Sequence, residues 1–85
     1  MAYRVEITPS AQRALRKIEP TWRNKISHAI DSLVLAPRPY GCVKLAGLPD
    51  KWRIRVGDYR VIYSITDNIL LVVVVGVGHR REIYR

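Results

Sequence analysis

The stretch WRIRVGDYRVIY, Trp52 to Tyr63, constrains this chain more than any other. Two alternating runs flank Gly57-Asp58, and glycine first in a two-residue loop suits a type II′ hairpin turn. Such a turn fixes the register of its hairpin. Val56 then faces Tyr59, Arg55 faces Arg60, Ile54 faces Val61, Arg53 faces Ile62 and Trp52 faces Tyr63. Alternation places Trp52, Ile54, Val61 and Tyr63 on one side, expected to meet the core, and Arg53, Arg55, Arg60 and Ile62 on the other. Like charges directly opposite on a sheet are unfavourable, by roughly 0.2–1 kcal/mol. No acid neighbours them within the hairpin, and Glu6 on an earlier strand is expected to offset the repulsion only if that strand lies close by. A bare arginine face stabilises a fold poorly but holds phosphates well, because each guanidinium is a permanently charged planar fork of donors. The plainer reading is a solvated face that discourages edge-to-edge association of sheets.

The rest of the chain supplies a body for this hairpin. In YRVEIT, Tyr3, Val5 and Ile7 alternate with Arg4, Glu6 and Thr8, the pattern of a half-buried strand. Thr8 is an N-cap candidate with Pro9 at the first helical position, and Ala11, Ala14, Leu15 and Ile18 recur at helical spacing. Pro20 ends that helix and opens the next, whose apolar stripe is Trp22, Ile26, Ala29, Ile30 and Leu33, stopped by Pro37. Pro37 to Lys51 is rich in Pro and Gly and reads as a loop. Trp52–Val56 and Tyr59–Ile65 read as strands. Asp67-Asn68 reads as a turn, and Leu70–Val77, apolar on both faces, as a central strand. The expected architecture is one α+β domain over residues 1–85, ordered β-α-α-β-β-β. A mainly antiparallel four-stranded sheet carries the helical hairpin on one face.

Charge narrows the partners. Fifteen Lys and Arg against seven Asp and Glu give a net charge of +8 on 85 residues, which favours a polyanion such as nucleic acid, an acidic protein or an anionic membrane. The N-terminus has no long apolar core and Ile69–Val75 is too short to span a bilayer, so no signal peptide or membrane partner is expected. Cys42 is the only cysteine, which excludes an internal disulfide and fits a reducing cytoplasm.

The chemistry is limited by what is missing. The sequence has no phosphate-binding glycine loop, no GxSxG, no metal-spaced His/Cys/Asp/Glu cluster and no carboxylate pair placed for glycoside work, so neither metal nor cofactor is expected. What remains is arginines, a histidine and a tyrosine. Gly76 and Gly78 suit a bend at the end of the last strand, beyond which follow His79, Arg80, Arg81 and Tyr84. Such a set binds phosphodiesters and stabilises charge on a phosphorane. Cleavage of RNA by its own 2′-OH needs little more than orientation, charge stabilisation and a proton for the leaving 5′-oxygen.

The ordered set TPSAQRALRKI, a helix ending in LAPRP, VKLAGLPDKWRIRVGDYRVIYSI and VVVVGVGHRREIYR resembles the RelE/ParE superfamily of bacterial toxins, the RelE branch in particular, over nearly the whole length. The resemblance implies a ribosome-dependent endoribonuclease that cuts messenger RNA in the decoding site, and a cognate antitoxin that masks the basic face. By position it implies catalytic roles for Arg53, Arg55, Arg60, Arg80 and Tyr84. Arg53 and Arg55 stand where family members often carry lysine, and their role is electrostatic because arginine resists deprotonation. Arg60 is the implied clamp on the scissile phosphate, Arg80 serves the leaving group, and Tyr84 stacks on the nucleotide and orients the 2′-OH. Lys44, Lys51, His79 and Arg81 are the candidates for holding the rest of the substrate. Two other functions compete: a ParE-like inhibitor that binds DNA gyrase without nuclease chemistry, and a basic RNA-binding module without catalysis.

Overall fold

The computed structural model describes residues 2–79. The chain runs β1 (Arg4–Ile7), α1 (Pro9–Arg16), α2 (Pro20–Ser32), β2 (Val43–Lys44), β3 (Lys51–Val56), β4 (Tyr59–Thr66), one 3-10 turn (Asp67–Ile69) and β5 (Leu71–His79). Local chemistry accounts for both helix starts. The Thr8 hydroxyl accepts the Ala11 N–H at 3.2 Å, with Pro9 in the first turn. At α2 the cap is Glu19, whose Oε1 accepts the Thr21 N–H at 3.0 Å ahead of Pro20.

The five strands form one sheet in the order β1-β5-β4-β3-β2. This corrects the expected four-stranded sheet in two ways. A two-residue strand inside the Pro/Gly-rich loop, Val43–Lys44, adds an edge by pairing with Arg53 and Trp52. The sheet is also mixed, because β1 runs parallel to β5, with Val5 beside Val72 and Ile7 beside Val74. Two helices between β1 and the rest provide the long return that a parallel pair requires. The strand read as central is central: β5 lies between β1 and β4. The expected two-residue turn at Asp67-Asn68 is instead the 3-10 turn, closed by Leu70 at φ 52°.

The core lies between the helices and one face of the sheet. Ala11, Leu15 and Ile18 from the first helical segment meet Ile26, Ile30 and Leu33 from the second. Opposite stand Ile54, Val61, Tyr63, Ile65, Val72, Val74 and Val77. Burying a side chain of this size contributes about 1.5–3 kcal/mol each, so this face sets the phase of every strand. Phase changes once. Ile62 pairs with Gly76 while Tyr63 pairs with Val74, which leaves Val75 as an extra residue in β5. The bulge turns Val77 inward and Gly76 and Gly78 outward; an unbroken strand would do the reverse. No helix among the described residues is long and apolar enough to cross a membrane.

Candidate functional site

The β3–β4 hairpin has the register expected from its turn, from Val56–Tyr59 through Trp52–Tyr63. Gly57 takes φ +61° and Asp58 has no positive φ, the pattern of a II′ turn. The turn lies directly against the Trp22 indole, so a Cβ at position 57 would overlap Cη2 and Cζ3 of that ring. Trp22 stacks at a tilt on Tyr59, with ring centroids 5.9 Å apart, and the Lys25 ammonium sits 4.6 Å above the indole. The helical hairpin thus grips the tip of the strands that carry the arginines.

On the open face the side chains stand in rows across the strands. One row reads Val43, Arg53, Ile62, Gly76; the next reads Arg55, Arg60, Gly78. A two-residue turn closes on a hydrogen-bonded pair, here Val56–Tyr59, so Arg55–Arg60 is the next, non-hydrogen-bonded pair. Pairs of that kind bring Cα atoms to about 4.5 Å and side chains closest together. The two guanidinium stems therefore start at the shortest separation a sheet offers. Arg55 is exposed, Arg53 and Arg60 are half-buried, and the Nε atoms of the latter two are withdrawn from solvent. Among the described residues no acid stands opposite any of the three in the strand register. Glu6 does not offset them: it lies on the far edge strand, in the row Lys51, Ser64, Val73, Glu6, and its carboxylate pairs with Arg4 Nε at 3.1 Å. Gly76 and Gly78 stand beside Ile62 and Arg60 in the arginine rows and add no side chain to them.

The structure divides the other candidates. Lys51 continues the arginine face, but its Nζ is held by Asp50 at 3.1 Å. Lys44 pairs with Trp52 and so takes the opposite side of the sheet from Arg53. His79 pairs with Tyr59, also on the helix side, where the two rings meet edge to face at 5.8 Å. It lines a groove of about 550 Å³ with Arg13 and Lys17 of the first helical segment. The bulge at Val75 causes this placement, since it reverses the phase of everything after it. Arg80, Arg81 and Tyr84 lie outside the described residues.

Sequence reasoning passed over the anchoring of the Pro37–Lys51 loop. The buried Tyr63 hydroxyl donates to the Pro37 carbonyl at 2.8 Å, and burial pushes the phenol pKa up. The Arg38 guanidinium grips Asp67 with two hydrogen bonds, 3.1 and 2.8 Å, and lies 5.0 Å over the Trp52 ring. Tyr3 donates to the same carboxylate at 2.6 Å. The Arg38 and Tyr3 hydrogen bonds hold the Asp67 carboxyl at about 2, well below its ordinary value. The signal for this clamp was Arg38 between two prolines, which no local periodicity explains.

Comparison with known proteins identifies the family to which this fold belongs. A family model described as the ParE toxin of type II toxin-antitoxin system, parDE, matches residues 5–84. The chain is 32% identical over 88 residues to the mRNA interferase toxin RelE of Escherichia coli, across 99% of this chain and 92% of that protein. It is 34% identical over 86 residues to the toxin RelG of Mycobacterium tuberculosis, across 100% of this chain and 99% of that one. It superposes with a TM-score of 0.84 on the archaeal RelE–RelB complex from Pyrococcus horikoshii, at 30% identity and over 96% of this chain and 99% of that chain. A basic sheet face on this topology, matched over nearly its full length, places the chain in the ParE toxin family of type II toxin–antitoxin systems, within the RelE/ParE superfamily, as a RelE-like toxin.

Proposed function

We propose that this toxin is an endoribonuclease that cuts translated messenger RNA on the ribosome. The observation that carries the reading is the Arg55–Arg60 pair: two like charges at the closest cross-strand spacing, on the same face as Arg53. Two guanidinium groups held that close together make a seat that attracts an anion to both. In this reading the anion is the scissile phosphate. The RNA supplies the nucleophile, its own 2′-OH, which attacks phosphorus while the bond to the 5′-oxygen breaks. Arg60 and Arg55 bind the non-bridging oxygens and stabilise the charge that grows on them. Arg53 extends the clamp along the backbone, and Arg80, Arg81 and Tyr84 serve the leaving group and the adjoining nucleotide. Metal and cofactor have no step in this scheme. Relatives named as RelE–RelB complexes support a cognate antitoxin, which would place an acidic segment over the same face in the cytoplasm.

The family model that matches is named for ParE, which keeps a second reading in view: a toxin that inhibits gyrase by binding it. One experiment separates the two. The chain is induced in a bacterial host and the ends of its messages are mapped. Cuts at fixed positions within translated codons are expected, and they disappear with a folded Arg60→Ala variant. Intact messages with double-strand DNA breaks would select the gyrase reading, and full toxicity of folded Arg60→Ala would remove Arg60 from the site.

A further inference from the structure

The loop that follows Arg38 displays an aromatic ring at the edge of the sheet, where α2 and β3 meet. Cys42 N–H donates to the Pro39 carbonyl at 3.0 Å, and Gly41 takes φ +88°. Pro39–Cys42 is therefore a hydrogen-bonded type II turn with Tyr40 at its second position. The root of this turn is tied down by the Pro37 and Arg38 contacts, so the turn is rigid, yet Tyr40 itself is fully exposed. A large aromatic held outward on a fixed turn forgoes burial that a flexible loop would find for it.

Tyr40 and Arg55 flank a cavity of about 450 Å³, lined also by Ala29, Ser32, Pro39 and Ile54. The cavity runs along β3 where its neighbour β2 has ended at Val43. The main chain of β3 is informative here. Leu45 N–H donates to the Lys51 carbonyl, so Lys51, Arg53 and Arg55 turn their peptide groups toward the β2 side. Arg53 still has Val43 opposite it; Arg55 is beyond the end of β2. Among the described residues no loop backbone group bonds the Arg55 N–H or C=O. The same place thus offers an aromatic plane, an adjacent main-chain donor and acceptor, and a guanidinium that also belongs to the phosphate face.

We propose that Tyr40, the Arg55 peptide group and the Arg55 side chain form a subsite for one nucleotide of single-stranded RNA, next to the phosphate held by Arg55 and Arg60. The base stacks on Tyr40, its hydrogen-bonding edge meets the bare edge of β3, and its phosphate joins the arginine face. Recognition of this type is how proteins hold unpaired RNA bases, and stacking tolerates any base because each has a π-face. The proposal rests on the reading of the arginine face as an RNA site.

The test uses the full-length protein and two fluorescein-labelled RNA oligonucleotides of equal length, one normal and one wholly abasic, with binding read by anisotropy. The wild type is expected to prefer the normal RNA by about 5- to 100-fold, the range for one stacked base. Tyr40→Ala is expected to lose most of that preference and keep its salt dependence; Tyr40→Phe and Tyr40→Trp are expected to retain the preference. Arg60→Ala should weaken both RNAs alike and lower the salt slope by about one. Equal binding of both RNAs by the wild type, or a full preference in Tyr40→Ala, overturns the subsite. Because Tyr40 is exposed, Tyr40→Ala is expected to melt with the wild type, so lost preference is not lost folding. Nuclease mapping separates the layers: an uncut message alongside a Tyr40-dependent preference would remove the nuclease reading and leave the subsite standing.

Discussion

Glycine at position 57 meets two demands at once, and replacing it by alanine isolates both. The first is backbone: φ +61° lies in the left-handed region, where a Cβ costs about 1–2 kcal/mol. The second is space: an added Cβ falls on the Trp22 ring, closer than the 3.0 Å that Cβ atoms keep from other atoms. Overpacking of that order costs about 1–3 kcal/mol, because the indole is itself braced by Tyr59 and Lys25. Gly57→Ala is therefore expected to destabilise the domain by about 2–5 kcal/mol. At about 4–8 °C per kcal/mol for a chain of this size, the melting temperature should fall by roughly 8–40 °C. Urea unfolding followed by tryptophan fluorescence measures the change, and a Trp22→Leu background apportions it. Leucine lacks the ring atoms that the Cβ strikes, so in that background only the backbone part, about 1–2 kcal/mol, should remain. An equal cost in both backgrounds refutes the steric argument; a cost under about 0.5 kcal/mol in the wild-type background refutes both parts.

Four further outcomes are expected. Arg55→Glu replaces the like-charged pair by an opposite one and should stabilise the fold by a few tenths to about 1 kcal/mol while abolishing message cleavage, as thermal melts and end-mapping will read. Tyr63→Phe leaves the Pro37 carbonyl without its donor and should cost roughly 1–3 kcal/mol, with faster amide exchange through residues 37–42. Asp67 is held at about 2 in the folded state, below its ordinary 3.8, so its contribution is present above about pH 4 and lost as pH falls through about 2. Urea titrations between pH 5 and 2 should show that loss, and Asp67→Asn should flatten it. Association with RNA should weaken steeply with salt, by about one counterion per phosphate contact, and a flat dependence would argue against phosphate recognition on the arginine face.

The hairpin was legible in the sequence because a two-residue turn admits one register, and alternation then assigns every side chain on it. The helices were legible because Thr8, Pro9 and Pro20 punctuate them and their apolar stripes agree with burial. Two features were not. Val75 sits in a run of four valines, where no polar residue reports phase, so neither the bulge nor the side of the sheet that His79 takes could be read from the sequence. Val43–Lys44 has no pattern of its own and exists as a strand only because β3 presents an open edge. Lys44 consequently fell on the Trp52 side. Glu6 illustrates a third limit: its strand was recognised, but its distance from the arginines depends on sheet order, which parallel pairing with β5 decides. The Arg38–Asp67 clamp spans 29 residues, so Arg38 between its two prolines is conspicuous but its partner is not.

Strand β5 is an interior strand of the sheet, between β1 and β4, and also the last of its strands to be synthesised. Its arrival gives β1 a partner, β4 a second partner and the helices a complete surface through Val72, Val74 and Val77. A chain still lacking these residues has a first strand with nothing to pair with and a hairpin tip that no closed core supports. Contacts that join the two ends of a chain form late and cannot be assembled piecemeal. The arginine face therefore acquires its final geometry only once β5 has joined the sheet. A protein proposed to act inside ribosomes thus has no finished working surface until its fifth strand has docked.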